Sequence, residues 1–280
     1  MQRRDFIRTG ATTLAGVGLG ATTAAADMNQ GAFQQSVCKW CFPDMSVEAL
    51  AVEAKRIGLR SIELLGPGDF ETLRRHDLIC AMVNGPTSIP TGWNRLENHD
   101  RFVAAFEERL GETAAAGFPN VITFSGNRDG MDDEQGLENC VVGLRRILPT
   151  AERLGVTICM ELLNSKVNHP DYMCDHTAWG VELAKRLDSE RFKLLYDIYH
   201  MQIMEGDIIR TIERDHQYFG HYHTAGNPGR HELDETQELF YPPIAKAIAD
   251  TGFDGYFAHE FIPTRDPLAG LTAAAKLCTV

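Results

Sequence analysis

The stretch GVTICMELLNS (155–165) holds the pattern that decides the fold. A glycine suited to closing a preceding helix is followed at once by an apolar, partly β-branched run, Val156 to Leu162, with one acid, Glu161, near its end. The same unit recurs downstream, where KLLYDIYH (193–200) carries Asp197, GHYHTAG (220–226) carries His223 and FAHEF (257–261) carries Glu260 at the strand end. Polar residues kept at one place in successive strands converge when the strands run parallel around a common axis, because their C-terminal ends then share one rim.

Working outward, strand-like runs are expected at Phe33 to Lys39, Ser61 to Leu65, Leu78 to Val83, Asn120 to Ser125, Val156 to Leu162, Phe192 to Asp197, Gly220 to Thr224 and Tyr256 to Glu260. Helix-patterned segments with cap-like starts lie between them, such as Ser46 before VEALAVEAKRIG and Asp100 before RFVAAFEERLGETAAAG. Gly58, Gly117, Gly155 and Gly252 each stand where such a segment gives way to the next strand. Eight β/α units with no Pro/Ser-rich linker or charge block predict an α/β fold of one domain, a (β/α)8 TIM barrel over residues 27–280. An open doubly wound sheet is the alternative, but no glycine-rich phosphate fingerprint supports a dinucleotide-binding version.

Residues 1–26 are read separately. Arg3 and Arg4, with Phe6 and Ile7 after them, precede a mild apolar run and Ala24-Ala25-Ala26, which resembles a cleavable twin-arginine export signal. The run is too short and too rich in Gly, Thr and Ala for a stable membrane span, so export to the periplasm is expected. A formal net charge of −12 argues against nucleic acid as a partner. The seven cysteines, including the Cys38-Lys39-Trp40-Cys41 spacing, are expected to be ordinary buried thiols of a chain folded before export.

Three carboxylates and one imidazole make an oxygen-rich ligand set. Such a set suits one divalent ion of the Mg, Mn or Co type better than Zn, so Glu161, Asp197, His223 and Glu260 are expected to bind metal. His200 follows Asp197 by three residues and Arg230 follows His223 by seven, which places both over the same rim as donors to a polar substrate. His221 is expected to point away from His223 and to serve packing or support.

On MELLNS, YDIYHMQ, HYHTAGNPGRHE and AHEF, with VNGP at Asn84 as a weaker match, the chain resembles the xylose isomerase-like barrels, most closely the hydroxypyruvate isomerase branch beside the ketose 3-epimerases. The resemblance spans residues 33 to 265. It implies a metal held by Glu161, Asp197, His223 and Glu260, with Glu161 and Glu260 as the acid/base pair and His200, Arg230 and Asn84 near substrate. It is also compatible with a homo-oligomer. Histidine at 223 follows the epimerases, since hydroxypyruvate isomerases usually carry glutamine there.

The expected activity is therefore metal-assisted isomerisation or epimerisation of a small α-hydroxycarbonyl compound, a hydroxypyruvate-like acid or a keto-sugar, through proton abstraction and an enediolate. Elimination or hydrolysis on oxidised sugars such as 3-keto-glycosides, and an exported sugar-binding barrel without catalysis, are the alternatives. A metallonuclease is disfavoured, because the first four strands end in Cys38, Leu65, Asn84 and Ser125, with Glu63 the only carboxylate close by.

Overall fold

The computed structural model describes residues 31–280; the export reading of residues 1–26 lies outside the described residues. The strands are β1 (Gln34–Cys38), β2 (Ser61–Glu63), β3 (Asn120–Thr123), β4 (Thr157–Glu161), β5 (Phe192–Asp197), β6 (Phe219–Thr224) and β7 (Tyr256–His259). All pair in parallel, in the order β2-β1-β7-β6-β5-β4-β3. Ten α-helices occur among the described residues: α1 (Val47–Ile57), α2 (Phe70–Arg75), α3 (His99–Ala116), α4 (Asp133–Leu144), α5 (Leu148–Leu154), α6 (Thr177–Leu187), α7 (Ile198–Met204), α8 (Ile208–Asp215), α9 (Tyr241–Asp250) and α10 (Pro267–Leu277).

One expected strand is corrected. Leu78 to Val83 is not a strand but touches both edge strands through single bridges, Ser61 with Ile79 and Leu65 with Val83 on one side, Val83 with Val121 on the other. Side chains explain the interruption. Ser61 Oγ accepts from the Ala81 amide at 2.8 Å and the Asn120 amide group donates to the Ala81 carbonyl at 2.9 Å, so the middle of the segment bonds to side chains instead of a neighbouring backbone. Leu64, at φ 58°, also turns β2 out of extended geometry directly after Glu63. The sheet nonetheless curls, with residues 79–83 standing between its two edges.

Local signals elsewhere act as expected. Ser46 caps α1 by accepting from the Ala49 amide at 3.1 Å. Gly155 takes φ 72° after α5 and directs its amide back to the Ala151 and Glu152 carbonyls, which sets the chain into β4. Asp100 falls inside the first turn of α3, which begins one residue earlier at His99. All seven cysteines are free and buried. Among the described residues no helix is long and apolar enough to cross a membrane.

The main core lies between sheet and helices and includes Val37, Ile62, Val121, Ile158, Leu194, Tyr222 and Phe257. A separate small apolar cluster of Met82, Ile122, Cys159 and Leu195 packs against Leu64 and Phe124. Leu64, Ile122 and Phe124 in turn line the cavity described next, so this cluster supports one side of it.

Candidate metal centre and substrate cavity

Glu161 closes β4, Asp197 closes β5, His223 is the penultimate residue of β6 and Glu260 follows β7 by one residue. Register brings them together: Asp197 pairs with His223 across β5 and β6, and the Glu260 amide extends the next ladder by donating to the Thr224 carbonyl at 2.9 Å. One ligand atom from each of the four lies within 4.8 Å of the others, and all four residues are buried. Because residues 78–83 do not form a strand, these are the fourth to seventh strands, not the fifth to eighth.

The ligand cluster is asymmetric. His223 Nδ1 stands 2.8 Å from Glu260 Oε2 and 3.5 Å from Glu161 Oε1, while its Nε2 stands 2.7 Å from Glu63 Oε1. Glu161 Oε1 has no hydrogen-bond partner although it is buried. An ionisable oxygen left bare in the interior is costly unless a cation completes its surroundings, so the donor set fits a divalent ion in both chemistry and placement.

Electrostatics follow from the burial. Burial pushes the Asp197 carboxyl up to about 7 against the pull of Arg230. Glu161 is raised as well, again by burial first. Burial acts in the same direction on Glu260, but Arg230 and His223 overcome it and hold that carboxyl well below the usual range. At His223 burial opposes the cation, yet the Glu260 carboxylate outweighs it and keeps the imidazole protonated well above its ordinary range. Glu63 resists burial through His221 and His223 and is held at about 2.

The Arg230 side chain is 11% exposed and turns inward from its loop. The residue takes φ 60°, a left-handed conformation costing roughly 1–2 kcal/mol in a side-chain-bearing residue. Its contacts offset that cost: Nη2 lies 2.5 Å from Glu260 Oε2 and 3.3 Å from Asp197 Oδ2, and the guanidinium sits over the rings of Trp40 and Tyr199 at 5.2 and 5.3 Å.

His200 is placed by Asp197 itself, whose Oδ1 caps α7 by accepting the His200 amide at 3.0 Å. The Asn164 backbone amide donates to His200 Nδ1 at 3.2 Å. Burial, then Arg230, depresses the pKa of His200 far below its ordinary value, so the ring is neutral. Its Nε2 lies 2.9 Å from Arg230 Nη1, within hydrogen-bond reach of the guanidinium.

A cavity of about 290 Å³ opens onto this cluster, lined among others by Trp40, Asn84, Phe124, Glu161, His169 and Glu260. Asn84 stands at its exposed rim with its amide donating to the Leu64 carbonyl at 2.8 Å. His200 and Asp197 reach the cavity through Arg230 and are not among its lining residues.

Several site residues escaped the sequence reading. Trp40 Nε1 donates to Glu260 Oε1 at 2.6 Å from across the β1–β7 junction. Glu63, noted only as a nearby carboxylate, ends β2 just as Glu161 ends β4, and the strand-end rule applied there would have found it. The expected direction of His221 is corrected: side chains two apart on a strand share a face, and its Nε2 lies 2.8 Å from the same Glu63 oxygen that His223 uses. A second group, Cys38, Glu63 and His223, also falls within ligand range. Its nitrogen and carboxylate oxygen are already at the hydrogen-bond separation of 2.7 Å.

The chain belongs to the xylose isomerase-like TIM barrels, whose description matches residues 53–278. Among individual relatives, the 2-oxo-tetronate isomerase of Cupriavidus necator is 35% identical over 117 residues, a stretch covering 42% of this chain and 44% of that protein. The enzyme of the same name from Haemophilus influenzae is 25% identical over 236 residues, 78% of this chain and 88% of its own. Other relatives carry hydroxypyruvate isomerase or D-psicose 3-epimerase in their names. The chain spans less than half the length of the first of these relatives. Among solved structures, one titled AP endonuclease, family 2, from Brucella melitensis superimposes with a TM-score of 0.78 at 26% identity, covering 86% of this chain and 96% of that one.

Proposed function

We propose that this protein is a metal-dependent isomerase or epimerase of a small α-hydroxycarbonyl compound, either a short keto acid or a keto-sugar. The observation that carries the reading is the buried quartet of Glu161, Asp197, His223 and Glu260, with the unpaired Glu161 oxygen beside the cavity. The names of the relatives support it.

In this reading the four residues hold one divalent ion, Mg, Mn or Co in preference to Zn. When bound, the ion supplies positive charge against negative charge developing on a carbonyl oxygen. Glu161 and Glu260, both lining the cavity, move the proton: one takes it from the carbon beside the carbonyl and the other returns it, through an enediolate. His200 and Arg230 orient a substrate oxygen, Trp40 keeps Glu260 in place by its hydrogen bond, and Asn84 meets substrate at the rim. Residues 79–83 take the place of a further strand in closing the barrel, and residues 1–26 direct export to the periplasm.

The test is solvent deuterium incorporation by metal-replete protein into a panel of keto acids, ketoses and 3-keto-glycosides. Exchange with an isomeric product supports the reading. Release of a leaving group would favour elimination or hydrolysis, and binding without exchange a sugar-binding barrel.

A further inference from the structure

Beside the ligand quartet lies a buried polar group that the reaction above does not use. Glu63, at the end of β2, is wholly enclosed, and its Oε1 stands 2.7 Å from His223 Nε2 and 2.8 Å from His221 Nε2. Cys38, its register partner on β1, approaches the same oxygen with Sγ at 3.7 Å.

A carboxylate offers no proton, so both imidazoles must turn an N–H toward it. A neutral imidazole has only one N–H. In the neutral ring that would ligate a metal, once Nε2 of His223 is committed to Glu63, Nδ1 is left as a bare lone pair, and Nδ1 is the nitrogen that faces Glu260 and Glu161. Turning the ring over would exchange both nitrogens for carbons and break the contact with Glu63. The charge on Glu63 also makes Nδ1 a better electron donor.

We propose that Glu63 is a positioning residue for the metal: by accepting the Nε2–H of His223 it selects the tautomer and ring orientation that direct Nδ1 into the ligand quartet. This rests on the reading that the quartet holds a divalent ion. His221, sharing the same oxygen, buttresses Glu63 from the other side.

The experiment compares Mn²⁺ affinity of the full chain with that of Glu63→Gln, which keeps the size but removes the charge, and of His221→Asn, which keeps a donor toward Glu63. Weakening by about 10- to 100-fold is expected for Glu63→Gln, with circular dichroism unchanged, and by less than about threefold for His221→Asn. Should the glutamine variant misfold, the parent supplies an independent readout. In Mg²⁺-loaded, ¹⁵N-histidine-labelled protein His223 should carry its proton on Nε2. A Mn²⁺ affinity within twofold of the parent for Glu63→Gln, equal weakening in the two variants, or a proton on Nδ1 of His223 overturns the proposal. So does a second Mn²⁺ in the parent that Glu63→Gln alone loses, which would make Glu63 a ligand. Failure of the isomerase reading looks different: normal Mn²⁺ binding with no proton exchange in any substrate.

Discussion

Metal binding by this protein should be strongly linked to pH, because the metal must displace protons that the interior holds unusually tightly. In the metal-free site His223 stays protonated well above its ordinary range beside Glu260 and Glu63, and burial lifts Asp197 to about 7. Ligation requires a bare imidazole nitrogen and an ionised carboxylate. Each ion should therefore expel one proton from His223, and a second, from Asp197, as the pH falls below about 7. One proton displaced per ion means about a tenfold loss of affinity per pH unit, or roughly 1.4 kcal/mol. Affinity should thus fall by up to about a hundredfold between pH 7 and 6, where both groups must give up protons. Calorimetric titration with Mn²⁺, repeated in buffers of low and high ionisation enthalpy, counts the protons directly. Affinity that varies by less than twofold between pH 7 and 6, or no proton release there, would refute the reasoning.

Further outcomes follow from individual contacts. Glu161→Gln and Glu260→Gln should each slow proton exchange at the substrate carbon by about 10²- to 10⁴-fold, read by deuterium incorporation at saturating metal. Trp40→Phe removes the donor to Glu260 Oε1 while keeping an aromatic ring over Arg230, and kcat should drop by about tenfold with the melting temperature nearly unchanged. Metal at about 100 times its dissociation constant should add about 2.7 kcal/mol of stability, lost on chelation and visible in thermal unfolding. Asp175 is held below its ordinary value by Arg128, Ser165 and His176 despite burial. The stability it contributes is present above the unfolded carboxyl range near 4 and lost as the pH falls through the lower folded value; Asp175→Asn should flatten the decline of the melting temperature in that acid window.

How much was legible in advance can be judged residue by residue. Glu161, Asp197, His223 and Glu260 were readable because each sits at the end of its own apolar run, and parallel strands carry equivalent positions to one rim. Gly155 and Ser46 were readable because helix caps depend on neighbours a few residues away. Leu78 to Val83 misled for the opposite reason: its apolar pattern is strand-like, but Ser61 and Asn120, 20 and 39 residues from Ala81, take over its backbone groups. The direction of His221 was open to correction from the sequence itself, since a period of two puts it beside His223.

The sequence by itself determined seven of the eight expected strands, the class of fold and the four strand-end residues that converge, because these rest on short-range periodicity and on one repeated position. Only the tertiary structure decided what surrounds those ligands. Trp40 reaches Glu260 across 220 residues and Glu63 reaches His223 across 160, because the curled sheet sets β1 between β2 and β7. Burial there, absent from any linear pattern, raises Asp197, lets Arg230 and His223 depress Glu260, and leaves one oxygen of Glu161 bare in the interior.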